Sequence, residues 1–329
     1  MTRSASSAET KVAGLIARAG ARFYLGKPDV AELLEVKFPT LGAVRDAVRN
    51  EVAFRGRSER APVLTSVNLE LTNHCNLRCT ICPVNTTMRR AKGYMDPALF
   101  RRVIDENPEI HFVLAFQWGE PLLHPDFFEL VRYAKDRGVS TMITSNGTFL
   151  TPENRRKLLE CGLTRITFSV DGDSETHRAI RSYDLDTLRR DVKAFVAERD
   201  AAGSPLKIDV SMVVDAATEH ALPTFKAEWH GVVDRVQAIP RLVAEKRTMP
   251  CRELWRGSLV VLWDGRVTVC CVDSEGQLEV GDANAVPLSE VWNGERMREI
   301  RRSHAERRFP SLCSMCGEYA KEGVSKRFR

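Results

Sequence analysis

The sequence of 329 residues has no long apolar run, and no stretch approaches the roughly 18–20 consecutive apolar residues of a membrane-spanning helix. Its first residues, MTRSASSAETK, lack the apolar segment of a secretion signal. It also lacks a basic stripe with interleaved aromatic residues, because the net charge is only +5 and basic residues are spread along the chain. We therefore expect a cytoplasmic protein with no membrane span and no nucleic-acid partner.

The composition is that of an ordinary globular protein, with 43% hydrophobic and 28% charged residues. The chain contains nine cysteines. In a reducing cytoplasm, cysteines in such a number favour metal ligands or reactive thiols over disulfides.

Six apolar runs alternate with amphipathic segments between residues 63 and 245. Several of these segments carry helix start or stop signals, such as Pro97, Pro152 and Gly162. Six strands that alternate with helices predict an α/β fold with a parallel sheet, here a partial (β/α)6 TIM-like barrel. The predicted strands cover residues 67–71, 112–118, 140–146, 165–171, 207–215 and 233–239.

Two further regions flank this barrel. Residues 1–62 carry apolar residues at helical spacing and predict a helical N-terminal extension. Residues 246–329 predict a small domain that consists of a β-hairpin and a helix. The hairpin is SLVVLWDGRVTVCCV with a two-residue turn at Asp264-Gly265, and the helix covers residues 289–308.

The polar motifs of the barrel follow predicted strands, namely a cysteine loop after the first, WGEP after the second, SNG after the third and SVDG after the fourth. Ligands of parallel sheets gather at the carboxyl ends of the strands. We expect these motifs to meet at one opening.

Cys75, Cys79 and Cys82 lie within the eight residues CNLRCTIC. Thiolates are soft ligands that select zinc, copper(I) or iron–sulfur clusters. Three sulfurs in a CX3CX2C loop hold three irons of a four-iron cluster and leave the fourth open to an exogenous chelator. The alternative is a zinc site or a set of unrelated structural thiols.

This cysteine loop, after the first strand of a βα alternation, resembles that of the radical S-adenosylmethionine (SAM) superfamily. The resemblance implies that SAM chelates the open iron and is cleaved to methionine and a 5′-deoxyadenosyl radical, which removes a hydrogen atom from a substrate. The WGEP segment is similar to the family's GGEP, with tryptophan in place of the first glycine. The resemblance further implies that SAM is bound by Trp118, Gly119, Glu120, Pro121, Ser145, Asn146, Ser169, Asp171 and Arg181.

Four C-terminal cysteines, Cys251, Cys270, Cys313 and Cys316, would make a closed site, either zinc or a fully ligated four-iron cluster. Their layout is similar to the "twitch" extension, a truncated SPASM domain, of radical SAM enzymes. We expect two [4Fe–4S] clusters, one that binds SAM and one auxiliary.

Two cysteines remain. Cys161 is expected to be a buried structural thiol. Cys271 neighbours Cys270 and is expected on the opposite face of a strand, where it packs, replaces Cys270 as a ligand or donates a hydrogen atom to a substrate radical. Candidate bases are Asp171, Glu70 and His177.

Abstraction of hydrogen beside a hydroxyl leads either to a ketone or to an inverted centre. The resemblance to twitch enzymes that act on sugars and aminocyclitols implies a dehydrogenase or epimerase of antibiotic biosynthesis with a carbohydrate-like substrate and a flavodoxin or ferredoxin as reductant. The alternatives are a peptide maturase, a sugar-acid decarboxylase or a non-catalytic iron–sulfur or zinc protein.

Overall fold

The computed structural model describes residues 40–317, and the first 39 residues of the predicted N-terminal extension lie outside this range. Nine strands form one sheet in the described part. They are β1 Ser66–Leu69, β2 Phe112–Leu114, β3 Ser140–Ser145, β4 Arg165–Ser169, β5 Lys207–Val214, β6 Arg235–Pro240, β7 Ser258–Val261, β8 Arg266–Thr268 and β9 Glu279–Asp282. The strand order is β6-β5-β4-β3-β2-β1-β7-β8-β9, with β1 to β7 parallel and β8 and β9 antiparallel.

Eleven α-helices precede, connect or follow these strands in the part of the chain that the structure describes. They are α1 Leu41–Arg55, α2 Pro83–Thr86, α3 Pro97–Glu106, α4 Phe127–Asp136, α5 Pro152–Glu160, α6 Ser174–Arg181, α7 Leu185–Ala201, α8 Leu222–Trp229, α9 Leu288–Trp292, α10 Glu295–Ala305 and α11 Ser311–Ser314. The predicted starts at Pro97 and Pro152 are confirmed, and the preceding Asp96 and Thr151 cap the helices through their side chains.

The two faces of the parallel sheet differ in polarity because successive side chains of a strand alternate between them. One face packs against the helices in the hydrophobic core, through Val67, Leu69, Val113, Ile143, Ile166, Phe168, Ile208, Val210 and Met212. The opposite, inner face carries several hydroxyl and amide side chains together with the buried ion pair of Arg165 and Asp209. The hydroxyl and amide residues are Asn68, which pairs with Leu114, and Thr144, Thr167, Ser169, Ser211 and Gln237.

Three details of the C-terminal region differ from the predictions. The hairpin between β7 and β8 has a three-residue loop, because Leu262 pairs with Arg266 and Gly265 takes a φ of +95°. The single helix predicted over residues 289–308 is two helices, α9 and α10, which are interrupted at Asn293-Gly294. Strand β8 ends at Thr268, so the strand alternation expected for Cys270 and Cys271 does not apply.

The six predicted barrel strands and their parallel order confirm the partial TIM-like fold. Strand β7 adds a seventh parallel strand beside β1, and the sheet therefore continues from the barrel into the C-terminal region. The domain boundaries near residues 62 and 245 stay predictions. No helix in residues 40–317 is long and apolar enough to cross a membrane.

Candidate functional site

The cysteine loop follows β1 and is anchored to the end of α6, where the Thr80 amide donates to the Ile180 carbonyl over 2.9 Å. Burial raises the pKa of the thiols of Cys75, Cys79 and Cys82, the last to about 11. One buried and two half-buried thiols in one loop are costly to ionise unless a cationic centre takes up their charge. The donor set therefore fits an iron–sulfur cluster, in which each thiolate binds a different iron.

Gly119 brings the WGEP segment against the chain just before the cysteine loop. Its φ is +88°, and a Cβ at this position would lie 2.6 Å from the carbonyl oxygens of Thr72 and His74. Only glycine fits both the backbone conformation and the contact. The Glu120 amide then donates to the His74 carbonyl over 2.8 Å, which fixes the two motifs together.

Glu120 joins the second and third motifs through its buried carboxylate. The carboxylate accepts hydrogen bonds from the Ser145 hydroxyl at 2.9 Å, the Asn146 amide at 2.8 Å and the Leu122 amide at 3.2 Å. Burial nevertheless raises the pKa of Glu120 to about 7, and the three donors oppose that shift. An added cation beside it, such as an ammonium group, would favour the ionised form.

Asn146 connects the SNG loop to the cysteine loop. Its side-chain amide donates to Asn76 over 2.9 Å and reaches the Cys75 sulfur at 3.8 Å. Its side-chain oxygen accepts from the Thr148 amide and hydroxyl at 2.9 and 2.7 Å. Asn146 thus orients the first cysteine, in addition to any contact with SAM.

Arg181 reaches the site through a buried ion pair with Asp171. The Asp171 carboxylate accepts from the Arg181 guanidinium at 2.8 Å and from the Val213 amide at 3.0 Å. The positive charge of the same guanidinium opposes the rise that burial causes in the pKa of the Cys79 thiol. Arg181 therefore places a positive charge between the fourth strand and the second cysteine.

The three candidate bases are held in structural contacts. Asp171 pairs with Arg181, and the buried Glu70 pairs with Arg90 through both carboxylate oxygens. His177 accepts the Asp171 amide at Nδ1, which places its proton on Nε2, and burial lowers its pKa to about 4. The contacts of these three side chains therefore argue for structural roles.

Cys271 is exposed, and its backbone carbonyl accepts a hydrogen bond from Gln117, directly before the WGEP segment. Gln117 in turn accepts from Asn68 of β1 at 3.0 Å. This chain of contacts places Cys271 beside the opening at the carboxyl ends of β1 and β2.

The four C-terminal cysteines come from three segments that meet in one place. Burial raises the pKa of Cys251 to about 12 and of Cys313 to about 11, and neighbouring thiolates add to both shifts. The pKa of Cys270 rises for the same reasons, with Cys271, Cys251 and Cys313 as its neighbours. No group of three or more His, Cys, Asp or Glu side chains within residues 40–317 has the geometry of a single-ion site.

The remaining residues predicted to bind SAM have known positions, but their contacts do not indicate a ligand. Trp118 is half-buried with its indole N–H in the interior, Pro121 starts a short 3-10 turn, and Ser169 lies on the inner face. Sequence reasoning missed Gln117, Asn76 and Arg247, which bridge or support the motifs. Their proximity in sequence to WGEP, Cys75 and Cys251 is the signal that could have pointed to them.

One pH dependence follows from Glu120. Between about pH 4.5 and 7 the folded chain holds a proton that the unfolded chain has released, so folding is penalised increasingly as the pH rises through this range. Relative to Glu120→Gln, and without SAM, the wild-type free energy of unfolding should fall by about 2 kcal/mol from about pH 5.5 to about pH 8. Urea unfolding at each pH measures it.

The matched control for this prediction is Glu129→Gln, because the Glu129 side chain is 62% exposed on α4. Its stability should follow that of the wild type at every pH. A constant difference between wild type and Glu120→Gln across the range would contradict the assignment of the titration to Glu120.

Comparisons with known proteins agree with this arrangement. A family model described as the radical SAM superfamily matches residues 69–199, and a model described as an iron–sulfur cluster-binding domain (SPASM) matches residues 251–317. The AdoMet-dependent heme synthase of Nitratidesulfovibrio vulgaris is 30% identical over 129 residues, which cover 39% of this chain and 35% of that protein. The chain thus matches about a third of the length of such curated relatives.

Two solved structures share the fold over most of the chain. BtrN in complex with AdoMet and 2-DOIA has a TM-score of 0.58 and 18% identity, and the match covers 81% of this chain and 98% of BtrN. Streptococcus suis SuiB bound to precursor peptide SuiA has a TM-score of 0.61 and 13% identity over 86% of this chain and 76% of SuiB. At these identities the likeness concerns the fold alone.

The first domain match implies SAM and a [4Fe–4S] cluster as cofactors, and the second implies auxiliary iron–sulfur clusters. The cysteine loop, the segment around Gly119 and the C-terminal cysteines all fall within the matched ranges. The chain therefore contains a radical SAM domain over residues 69–199 and a C-terminal SPASM or twitch domain over residues 251–317.

Proposed function

We propose that this enzyme is a dehydrogenase or epimerase that removes a hydrogen atom from a carbinol carbon of a small polar molecule, a sugar or aminocyclitol intermediate of antibiotic biosynthesis. The observation that carries this proposal is the polar inner face of the sheet. Its hydroxyl and amide groups both donate and accept hydrogen bonds, as recognition of a hydroxyl-rich ligand requires. The residues are Asn68, Thr144, Thr167, Ser169, Ser211 and Gln237.

The motif residues at the opening would hold the cofactors. Cys75, Cys79 and Cys82 are the proposed ligands of the SAM-binding cluster, and Cys251, Cys270, Cys313 and Cys316 those of one auxiliary [4Fe–4S] cluster. When SAM is bound and the SAM-binding cluster is reduced, for instance by a flavodoxin or ferredoxin, the two would supply the 5′-deoxyadenosyl radical that abstracts hydrogen.

The remaining motif residues would position SAM. The Glu120 carboxylate suits its ammonium group, and the Arg181 cation suits its carboxylate. The backbone of Trp118, Gly119 and Pro121 and the side chains of Ser145, Asn146 and Ser169 complete the proposed contacts. Asp171 would act through its ion pair with Arg181. Because Glu120, Ser145 and Asn146 already bond one another, they present a fixed surface to the ligand.

The two outcomes diverge after hydrogen is removed from the substrate. Loss of one proton to the solvent and transfer of one electron to the auxiliary cluster would convert the ketyl-type radical into a ketone. Return of a hydrogen atom from the Cys271 thiol to the opposite face gives the inverted alcohol and leaves a thiyl radical. One electron from the reductant and one proton from the solvent then regenerate the thiol. The exposure of Cys271 beside Gln117 supports such a donor role.

Cys271→Ala separates these outcomes. In deuterated water an epimerase should give an inverted product that carries solvent deuterium, because the thiol exchanges with the solvent, and the variant should lose this product. A dehydrogenase should give the ketone with or without the thiol. Mass spectrometry and NMR of the product measure both.

The control for this experiment is 5′-deoxyadenosine, which the Cys271→Ala variant should still form because the thiol acts after hydrogen abstraction. An inverted, deuterated product from the variant would exclude Cys271 as the donor. Loss of about four of the roughly eight irons in the variant would instead indicate that Cys271 replaces Cys270 as a ligand of the auxiliary cluster.

The substrate class and the catalytic character are tested separately. Reconstituted protein should contain about eight irons in two four-iron clusters and form 5′-deoxyadenosine from SAM under dithionite. Aminocyclitols and sugars should increase that formation, and peptides should not. Stimulation by peptides alone would favour a peptide maturase, and two clusters without SAM cleavage would indicate a non-catalytic protein.

A further inference from the structure

Arg247 is a buried cation beside the C-terminal cysteines. Arg247 is only 3% exposed to solvent. Arginine side chains are rarely buried to this extent unless they are paired. It precedes the first cysteine of the site by four positions. Burial of such a charge is costly unless opposite charge and hydrogen-bond acceptors surround it.

The surroundings of Arg247 are the cysteines themselves. Its Nε donates to the Cys313 carbonyl at 3.1 Å and its Nη1 to the Met249 carbonyl at 3.1 Å. Its positive charge also lies near the Cys316 side chain. Its positive charge acts on the sulfurs of Cys251 and Cys313 as well, so it reaches three of the four thiols.

The backbone holds the guanidinium in this place. Residues 244–247 run antiparallel to the CX2C segment, with the Glu245 amide on the Met315 carbonyl at 3.1 Å and the Arg247 amide on the Ser314 carbonyl at 2.8 Å. The CX2C knuckle and the cation therefore move as one unit. A mobile surface arginine would have no such fixed relation to the sulfurs.

We propose that Arg247 is the charge-compensating residue of the auxiliary cluster, which it stabilises in the reduced state through its positive charge. The inference rests on the proposed function, which assigns that cluster to the four cysteines. Net charge and hydrogen bonds to the sulfurs are among the factors that set the potential of an iron–sulfur cluster. Removal of the cation should make the auxiliary cluster harder to reduce.

The test is a redox titration monitored by electron paramagnetic resonance. It uses protein in which Cys75, Cys79 and Cys82 are alanine, so that the auxiliary cluster is observed alone. Arg247→Gln should shift the reduction equilibrium about tenfold toward the oxidised cluster, which corresponds to about 59 mV for one electron. Arg247→Lys, which keeps the charge, should stay near the parent value.

The matched control is Arg296→Gln, which removes an arginine that is 58% exposed on α10 of the same region and should leave the potential unchanged. Loss of the cluster in Arg247→Gln but not in Arg247→Lys would also support the proposal, because charge would then be needed to hold four thiolates. Equal potentials in all variants, an equal shift in both Arg247 variants or loss of the cluster in both would overturn it. Absence of the auxiliary cluster from protein that retains all nine cysteines, measured as about four irons instead of about eight, would overturn the proposed cluster assignment and this inference together.

Discussion

Replacement of Cys75, Cys79 and Cys82 by alanine should abolish SAM cleavage and leave about four of about eight irons in the protein. The three thiols lie in one loop after β1, whereas the other four come from segments between residues 251 and 316. The open cluster should therefore be lost while the closed one remains. Chromatography of 5′-deoxyadenosine and iron and sulfide analysis of anaerobically reconstituted protein measure the two effects.

The matched control for this triple variant is Cys161→Ala. Cys161 is a buried thiol at the end of α5 whose sulfur donates to the Leu158 carbonyl at 3.5 Å, remote from both cysteine groups in sequence. The Cys161→Ala variant should keep its full iron content and should still cleave SAM. Persistent formation of 5′-deoxyadenosine in the triple variant would contradict the assignment of the cysteine loop to the SAM-binding cluster. Complete loss of iron would show that the two cluster sites depend on one another.

Removal of the Asp171 carboxylate should reduce the free energy of unfolding by about 3 kcal/mol, because it leaves the guanidinium of Arg181 buried without its counter-ion. The Asp171 side chain is fully buried and that of Arg181 is 12% exposed. The Val213 amide also loses its acceptor. Urea unfolding of Asp171→Ala in the absence of SAM measures the loss.

Two further variants test whether the loss of stability comes from the unpaired charge of Arg181. Glu160→Ala breaks an ion pair with Arg156 on the exposed surface of α5 and should cost below about 0.5 kcal/mol. The double variant Asp171→Ala/Arg181→Met removes both charges and should be more stable than Asp171→Ala alone. A double variant as unstable as Asp171→Ala would show that the cost comes from lost packing and not from the unpaired charge.

The fold was largely predictable because its signals are local. Alternation of apolar runs with amphipathic segments marks the six barrel strands, and helix starts at Pro97 and Pro152 follow from the fixed φ of proline. The cysteine motif is equally local, since three ligands lie within eight residues. The break at Asn293-Gly294 was missed because the apolar spacing continues through it.

The contacts that join the motifs could not be predicted in the same way. The engagement of Glu120 with Ser145 and Asn146 depends on the register of neighbouring strands, which one sequence does not specify. The ion pair between Asp171 and Arg181 could not be predicted for the same reason. Asp171 was predicted as a candidate base, but its carboxylate is already bonded to Arg181. The placement of Cys271 failed because β8 ends three residues earlier, at Thr268.

The pairing of β1 with β7 has a consequence for the order of events during synthesis. The hydroxyl of Ser66, at the start of the strand that leads to the cysteine loop, bonds the Gly257 carbonyl 191 positions later. At roughly 5–20 residues per second, a ribosome takes about 10–40 s to make the intervening chain. The strand that leads to the three thiols has no neighbour on that side during this interval, so its edge pairs late. Cluster delivery to a nascent chain would thus meet a loop on an unfinished sheet, and we expect delivery after release to be the productive order.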